Sequence, residues 1–270
     1  LDGTLFPYTT LFRSSGRGSV GGLAGRNSGS VDSCHGAGRI TGNGQVGGLV
    51  GKNEGHIVQS HSEAGVYSTN GEATDNDFGG LVGRHSGRVI ERFDGVVEVR
   101  VGSISGSSAT GAVSGGSSVG GLVGTISGAT VETSHSAGAV DGDQLVGGFV
   151  GYNSGDVATS YGSGPVSGDR RVGGLAGLNE GSIVDSYSTG VVSGNKDVGG
   201  LVGYNVGFAI GGDIVKGSIA TCYSVGNVTG GTGVGGLVGA GRTDYVTVCF
   251  WDIETSGQSA SLARSEERRV

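Results

Sequence analysis

Aromatic and imidazole rings recur at one position of this 270-residue chain, and the histidines among them have the most obvious potential for chemistry. The ring column comprises His35, His61, Phe93, His135, Tyr161, Tyr187, Tyr223 and Phe250. Imidazole nitrogens are common metal ligands, but the Phe and Tyr members are poor ones, and no Cys/His spacing in the chain matches a zinc site. We therefore predict a surface ladder of stacked rings and no metal.

Cysteines, glycine-rich segments and carboxylates are the other candidates for chemistry. Cys222 and Cys249 occupy equivalent positions in adjacent repeats and so come within disulfide reach, but that position otherwise holds serine, so we expect buried, reduced thiols. Three segments fit the fingerprint Gly-x-Gly-x-x-Gly, starting at Gly16, Gly42 and Gly231. None opens a helix, which argues against dinucleotide binding. Acidic residues such as Asp185 are scattered without an acid–base pair. We predict that the chain is not an enzyme and uses no cofactor.

The elements that position these residues are set by a repeated box, Gly-Gly-(Leu/Phe)-(Val/Ala)-Gly. Copies of the box begin at Gly21, Gly47, Gly79, Gly120, Gly147, Gly173, Gly199 and Gly235. Four of the seven steps between copies are 26 or 27 residues, and the other three are longer. Self-similarity at a period of about 20–50 residues is typical of solenoids, propellers and arrays.

A single unit indicates which of these architectures applies. The segment 173–194 reads GGLAGLNEGSIVDSYSTGVVSG, in which Ser, Thr, Gly and Asn separate three short apolar patches without helical periodicity. Three short strands and their turns fill about 26 residues, whereas a propeller blade uses about 40. We therefore predict an all-β, right-handed parallel β-solenoid of about eight coils, with handedness following from the usual parallel crossover.

Two further columns precede each ring. Four residues before it lies a branched residue: Val31, Ile57, Val89, Val131, Val157, Ile183, Ile219 and Val246. Immediately before it lies a small residue: Cys34, Ser60, Ser134, Ser160, Ser186, Cys222 and Cys249, with Arg92 as the exception. The box Leu/Phe, the branched column and the small column are expected to face the core, while Gln59, Glu91 and Asp185 face water. Strict alternation then gives the branched column the wrong parity, so a bulge or corner must intervene at a position the sequence does not reveal.

An asparagine follows most boxes, at Asn27, Asn53, Asn153, Asn179 and Asn205, with glycine two residues later. Asparagine tolerates left-handed backbone, and stacked amides hydrogen-bond along a ladder. His85, Ile126 and Gly241 replace it in three units. We expect insertions near 63–72, 94–107 and 208–217. The residues from Val89 to Val101, with Asp94-Gly95 between two apolar runs, also predict a projecting hairpin.

The repeat array is predicted to span residues 15–263. Residues 1–14 and 264–270 resemble one sequencing adapter translated in its two directions, and we expect them to be artefacts. The formal net charge of −7 argues against nucleic-acid binding and against anionic membrane surfaces. No run approaches the roughly 18 apolar residues of a membrane span, so no membrane insertion is expected.

The box and the segment Ser-Tyr-Ser-x-Gly-x-Val-x-Gly after it resemble the GLUG-motif repeat family over residues 19–258, and Cys249–Gln258 resembles the end of such arrays. The resemblance implies a non-catalytic structural or adhesive segment of a large bacterial secreted or cell-surface protein, located outside the cell. Its role would be that of a stalk or of a surface for an extracellular glycan or a host or cell-surface protein. The alternative is an accessory region of a secreted enzyme, an IgA-type metallopeptidase or a polysaccharide-acting enzyme, with its catalytic domain elsewhere. No His-Glu-x-x-His motif is present in this sequence.

Overall fold

A computed structural model describes residues 4–5, 9–69, 77–91, 97–206, 208–210 and 213–262. Side chains are described for 13–69, 77–87, 101–206 and 217–262. The described chain is all-β apart from one helical turn, Ile253–Ser256, and its strands form two large sheets and two hairpins. We call the stretch from one box to the next a coil and name it by its first glycine.

Both large sheets are parallel throughout. The first sheet has 15 strands: Thr4–Leu5, Ala24–Asn27, Ser30–Asp32, Val50–Asn53, His56–Val58, Val82–Ser86, Ser103–Ser105, Val123–Glu132, Val150–Ala158, Ala176–Asn179, Ser182–Val184, Val202–Asn205, Ser218–Ala220, Val238–Gly241 and Val246–Thr247. The second has 16 strands: Thr9–Gly21, His35–Gly47, His61–Ser62, Gly65–Ser68, Asp77–Gly79, Ser108–Ala109, Val113–Gly120, His135–Ser136, Val140–Gly147, Tyr161–Gly162, Val166–Gly173, Tyr187–Ser188, Val192–Gly199, Tyr223–Ser224, Val228–Gly235 and Phe250–Trp251. Every coil contributes to both sheets, which is the organisation of a parallel β-solenoid.

The boxes are stacked on one another in register. Their first glycines pair in the order Gly21, Gly47, Gly79, Gly120, Gly147, Gly173, Gly199, Gly235. A Cβ on Gly199 would lie 2.0 Å from the Val202 carbonyl oxygen, and one on Gly200 would lie 2.1 Å from the Gly236 carbonyl oxygen of the next coil. The two glycines are therefore required by the tight turn and by the close approach of the neighbouring coil.

Box and branched side chains fill one continuous core between the sheets. Leu201 of the box and Ile183 of the branched column are fully buried, and their equivalents pack in the same cluster. A second cluster lies under the long strands of the second sheet, where Val166 and Val172 are typical members. The prediction that both columns face the core is confirmed.

The corner that the sequence analysis required lies between the branched and small columns. The residue before each small residue adopts left-handed backbone, with φ between 47° and 56°, at Ser33, Gln59, Gly106, Thr133, Thr159, Asp185, Thr221 and Val248. This conformation turns the chain from the first sheet to the second and changes which side of the chain faces inward. Gln59 and Asp185 are exposed there, as expected. The small column is buried, also as expected.

Hydroxyl groups of the small column stabilise this corner. The Ser160 backbone N–H donates to Ser186 Oγ of the next coil at 3.1 Å, and that hydroxyl donates to the Val184 carbonyl at 2.7 Å. The same pair of bonds recurs at Ser134, whose N–H donates to Ser160 Oγ. Buried donors and acceptors at the turn are thereby satisfied without water.

The Gly79 coil differs from the column positions assigned to it from the sequence. Ile104, not Val89, pairs with Ile57 and Val131 in the branched column. Val89 instead pairs with Val99 in an antiparallel hairpin of Arg88–Glu91 and Val97–Arg100, so the predicted hairpin is present. Alternating Val and Glu residues in the hairpin imitate the column pattern, and only strand pairing distinguishes the two.

The same correction shifts the other columns of this coil. Ser107 and Gly106 stand at the small and corner positions, so Arg92 and Glu91 do not belong to those columns. Ser108 pairs with His61 and His135 at the ring position that was assigned to Phe93, and Phe93 itself lies outside the described residues.

The register also locates the additional residues of the longer coils. In the Gly47 coil nine positions separate Ser68 from Asp77 where the preceding coil has three, so the extra residues fall later than the start of the range 63–72. In the Gly79 coil they form the hairpin between Ser86 and Ser103, upstream of most of 94–107. In the Gly199 coil they form a second antiparallel hairpin, Phe208–Ile210 with Asp213–Lys216, within the range 208–217.

Strand Thr9–Gly21 crosses the boundary placed after residue 14 and pairs in register with His35–Gly47. Backbone groups form this pairing, and any sequence supplies them. The adapter-like origin of residues 1–14 stays a prediction, as does that of 264–270, which lie outside the described residues.

The last coil is covered by the chain that follows it. Trp251 is 4% exposed, and its indole N–H donates to the Gln258 carbonyl at 3.0 Å. The Gly236 N–H donates to the Ala260 carbonyl, so part of the open sheet edge is hydrogen-bonded. A covered edge lacks the free row of backbone groups that promotes aggregation.

The predicted asparagine ladder exists inside the turn of the first sheet. Asn153 Nδ2 donates to Asn179 Oδ1 at 2.8 Å, and Asn179 Nδ2 donates to Asn205 Oδ1 at 2.9 Å. The side-chain oxygens of Asn153 and Asn179 also accept a backbone N–H two residues later, as from Gly181 to Asn179 at 3.2 Å. These asparagines do not use left-handed backbone; the amide side chain itself completes the turn.

His85 replaces asparagine in the Gly79 coil and is fully buried. Its Nδ1 lies 3.1 Å from Asn53 Nδ2, and its Nε2 lies 3.2 Å from the Thr130 carbonyl oxygen. A neutral ring with hydrogen on Nε2 satisfies both contacts. Burial lowers the pKa of His85 to about 4, because the charged imidazolium would be desolvated.

The asparagine ladder predicts a large difference between two asparagine substitutions. Asn179→Ala removes both ladder bonds. Asn205 Oδ1 then loses its donor from Asn179, and Asn153 Nδ2 keeps only its 3.4 Å contact with the Ser182 carbonyl, so we expect a loss of about 2–4 kcal/mol in unfolding free energy. Asn195→Ala removes an exposed hydrogen bond to Asp169 and should cost less than about 0.5 kcal/mol. Equilibrium urea unfolding of both variants measures the difference, and equal losses would contradict the structural role of the ladder.

His85 predicts a specific pH dependence of stability. The unfolded chain, with a His pKa near 6.5, binds a proton that the folded chain does not bind until about pH 4. Stability is therefore complete above about pH 6.5 and falls by roughly 3 kcal/mol as the pH is lowered through this window. His85→Asn restores the column residue and should remove most of this dependence in urea titrations at pH 7 and pH 4.5. Identical pH dependence in both proteins would exclude His85 as its source.

Candidate functional site on the outer face of the second sheet

Ring-column residues begin strands of the second sheet and point away from the core. They follow the buried small column directly, and alternation along a strand places consecutive side chains on opposite faces. All seven described members of the predicted column are partly exposed: His35, His61, His135, Tyr161, Tyr187, Tyr223 and Phe250. The described rings therefore lie on the outer face of the second sheet.

The rings stack as the sequence predicted, but in two groups. His35 and His61 have ring centroids 5.2 Å apart. His135 and Tyr161 are 4.9 Å apart, and the same spacing of 4.8 to 4.9 Å continues through Tyr187 to Tyr223. Phe250 ends the second group at 6.4 Å from Tyr223. Ser108 separates the groups at the position where Phe93 was expected.

Stacking determines what the ladder presents to solvent. Interplanar angles of 3° to 7° within the second group mean that each ring face is covered by the next ring. Burial and the neighbouring phenols Tyr161 and Tyr223 raise the pKa of Tyr187, so its hydroxyl stays protonated. Burial, with a smaller contribution from His61, lowers the pKa of His135. The exposed parts are ring edges and hydroxyls rather than open ring faces.

A carboxylate that the sequence analysis did not consider lies beside the first group. Glu63 Oε1 is 3.4 Å from His35 Nε2 and 3.5 Å from His61 Nε2. One ligand atom from each of the three residues lies within 4.8 Å of the others. The signal was present in the sequence as His61-x-Glu63, because alternate residues of a strand share a face. Comparison of equivalent positions in the repeats does not reveal it, because Glu63 stands two positions after the ring.

A shallow apolar groove runs next to the second group of rings. Ala139, Pro165 and Val191 line it from consecutive coils, each four residues after a ring. Val191 is 52% exposed.

The cysteines are placed as expected. Cys34, Cys222 and Cys249 are all buried and unbridged. The Cys222 N–H lies 3.4 Å from Cys249 Sγ, which confirms that the pair occupies adjacent coils. The neighbouring Cys249 and burial raise the pKa of the Cys222 thiol, which makes this sulfur a poor nucleophile.

Several carboxylates have structural partners. Glu54 contacts both Arg26 and Lys52, which lower its pKa against the opposing effect of burial. Asp77 Oδ1 accepts a hydrogen bond from Thr125 at 2.6 Å, and Asp252 caps the terminal helix by accepting from the Glu254 N–H at 3.0 Å. These contacts join neighbouring coils or cap the start of the helix.

The part of the chain that the structure describes contains no helix with the length and apolar character needed to cross a membrane. Among known protein families, the one described as the GLUG motif matches residues 168–193. No curated protein and no solved structure gives a match. The matched segment is one repeat of the array, from strand Val166–Gly173 through the corner at Asp185 to strand Val192–Gly199.

Proposed function

We propose that residues 15–263 form a right-handed solenoid of eight coils that acts as a stalk within a large bacterial secreted or cell-surface protein, without catalytic activity of its own. At about 4.8 Å per coil the array would extend roughly 40 Å. The GLUG motif at residues 168–193 supports a repeat region of a bacterial protein. Adhesion and an extracellular location are proposals that follow from the resemblance to GLUG repeat arrays.

The observation that carries the stalk proposal is that polar and aromatic side chains of the array contact their equivalents in the neighbouring coils. The asparagines bond to one another in the core, the small-column hydroxyls close the corner, and the rings cover each other's faces. Each contact joins one coil to the next along the long axis. A rigid spacer needs such contacts, whereas a catalytic site needs groups left free to meet a substrate.

A ligand-binding role for the outer face of the second sheet has less support than the stalk role. Sugars bind aromatic side chains mainly across open ring faces, and the ladder between His135 and Tyr223 leaves only edges exposed. The groove along Ala139, Pro165 and Val191 offers an apolar surface, so a protein ligand is favoured over a glycan. An accessory region of a secreted enzyme, with its active domain elsewhere, is the alternative, and the coding sequence flanking this segment would identify it.

The stalk proposal predicts that substitutions in the ring ladder change the stability of the fold and do not change glycan binding. Tyr187→Ala removes two stacking contacts, at 4.8 Å to Tyr161 and 4.8 Å to Tyr223, and should lower unfolding free energy by about 1–3 kcal/mol. On a glycan array the full chain and this variant should both show no specific retention. The matched control is Tyr204→Ala, whose ring lies under Arg171 outside the ladder. Glycan binding that Tyr187→Ala abolishes and Tyr204→Ala retains would replace the stalk proposal with a lectin function.

A further inference from the structure

We propose that His35, His61 and Glu63 form a binding site for one divalent transition-metal ion of the zinc class, on the outer face of the second sheet. Two imidazoles and one carboxylate are a ligand set that zinc uses where a fourth position is left to water. This assignment revises the expectation, based on the ring column alone, that the histidines serve only in stacking.

Distances within the cluster match those of a metal site. Two ligands bound at about 2.1 Å and separated by a tetrahedral angle lie about 3.4 Å apart. His35 Nε2 and His61 Nε2 lie 3.4 Å and 3.5 Å from Glu63 Oε1. The longest separation in the cluster is no more than 4.8 Å, so small side-chain rotations bring both nitrogens to one ion. The same distances are longer than a good charge-assisted hydrogen bond, which is about 2.7–2.9 Å.

Backbone geometry holds the three residues together. His35 and His61 are directly paired on neighbouring parallel strands, which fixes their side chains side by side. Glu63 follows His61 by two residues, its N–H donates to the Gly36 carbonyl at 2.8 Å, and it shares the outer face. The donors therefore come from two consecutive coils of a rigid array, and little ordering is required on binding.

Ser108 supplies the outer contact that a metal-binding histidine usually has. Its Oγ lies 2.7 Å from His61 Nδ1 and can accept the Nδ1–H hydrogen bond, which leaves the Nε2 lone pair directed at Glu63. Such partners fix the tautomer and the ring orientation of ligating histidines. Ser108 pairs with both His61 and His135 at a ring-column position that has no ring, so the interruption of the ladder and the ligand set occur together.

The cluster is accessible from solvent. The side chains of His35 and His61 are both 32% exposed, and that of Glu63 is 55% exposed. His35 Nε2 itself is buried, so an ion reaches it when the exposed Glu63 side chain rotates, without opening the fold, and water can complete the coordination. Once bound, the ion would join the Gly21 and Gly47 coils and so stabilise the folded chain.

His135 provides a matched control within the same column. It occupies the equivalent position, but it stacks on Tyr161 at 4.9 Å, and the residue two positions later is Ala137. It therefore has the imidazole and lacks the carboxylate. If any exposed histidine of the column were enough for binding, His135 would bind as well.

The experiment titrates the full reduced chain with Co²⁺, followed by its visible absorption, and with Zn²⁺, followed by calorimetry. We expect one ion per chain in the wild type and in His135→Ala. His35→Ala and Glu63→Gln should each weaken binding at least about tenfold. At the same Zn²⁺ concentration the rise in melting temperature should be smaller for Glu63→Gln than for the wild type. Glu63 is more than half exposed, so Glu63→Gln is expected to fold even if His35→Ala does not.

Four results would overturn the proposal. The first is the absence of binding in the wild type. The second is equal affinity in the wild type and Glu63→Gln. The third is loss of binding in His135→Ala, which would place the ion in the other group of rings. Intense thiolate-to-cobalt absorption that persists in Glu63→Gln would likewise assign the ion to Cys222 and Cys249.

Discussion

Parallel hydrogen bonding between consecutive coils is the interaction on which the rest of the structure depends. A single coil buries only a few apolar side chains, each worth about 1.5–3 kcal/mol, against the entropy of ordering about 26 residues. Stacking adds backbone bonds on both sides and closes a continuous core over Leu175, Leu201 and Leu237. In a solenoid the nearest-neighbour interface, rather than the isolated unit, is therefore the source of stability.

In-register stacking also explains why identical side chains recur. Asparagine above asparagine gives a chain of amide bonds, serine above serine satisfies the corner, and tyrosine above tyrosine gives a stack near 4.8 Å. Each ladder is favourable only while its neighbours stay in register, since a slip by one residue exchanges inner and outer faces. Replacement by His85 is tolerated because a neutral imidazole can both accept from Asn53 and donate to the Thr130 carbonyl.

Longer coils show where the array accepts additional chain. Both described hairpins leave the first sheet after the asparagine turn and return before the branched column, at Ser103 in one coil and Ser218 in another. The strands of the first sheet before and after each insertion stay paired with the neighbouring coils, while the inserted residues form their own antiparallel hydrogen bonds. The Gly79 coil, which carries one of these hairpins, is also the coil in which Ser108 stands at the ring position, and this gives His61 a hydroxyl neighbour.

The sequence by itself determined the period, the parallel solenoid class, the buried columns and the ring and asparagine ladders, because each rests on residue types that recur at fixed spacing. Only the tertiary structure decided the rest. The corner is a left-handed backbone conformation adopted by Ser33, Gln59 and Thr133 alike, so no residue type marks it. Val89 and Ile104 are equally good branched residues, and only strand pairing shows that Ile104 belongs to the wall. Glu63 lies beside two histidines for two reasons: alternate residues of a strand share a face, which places it next to His61, and strand pairing places His35 next to His61. Comparison of equivalent positions in the repeats reveals only the pairing of the histidines.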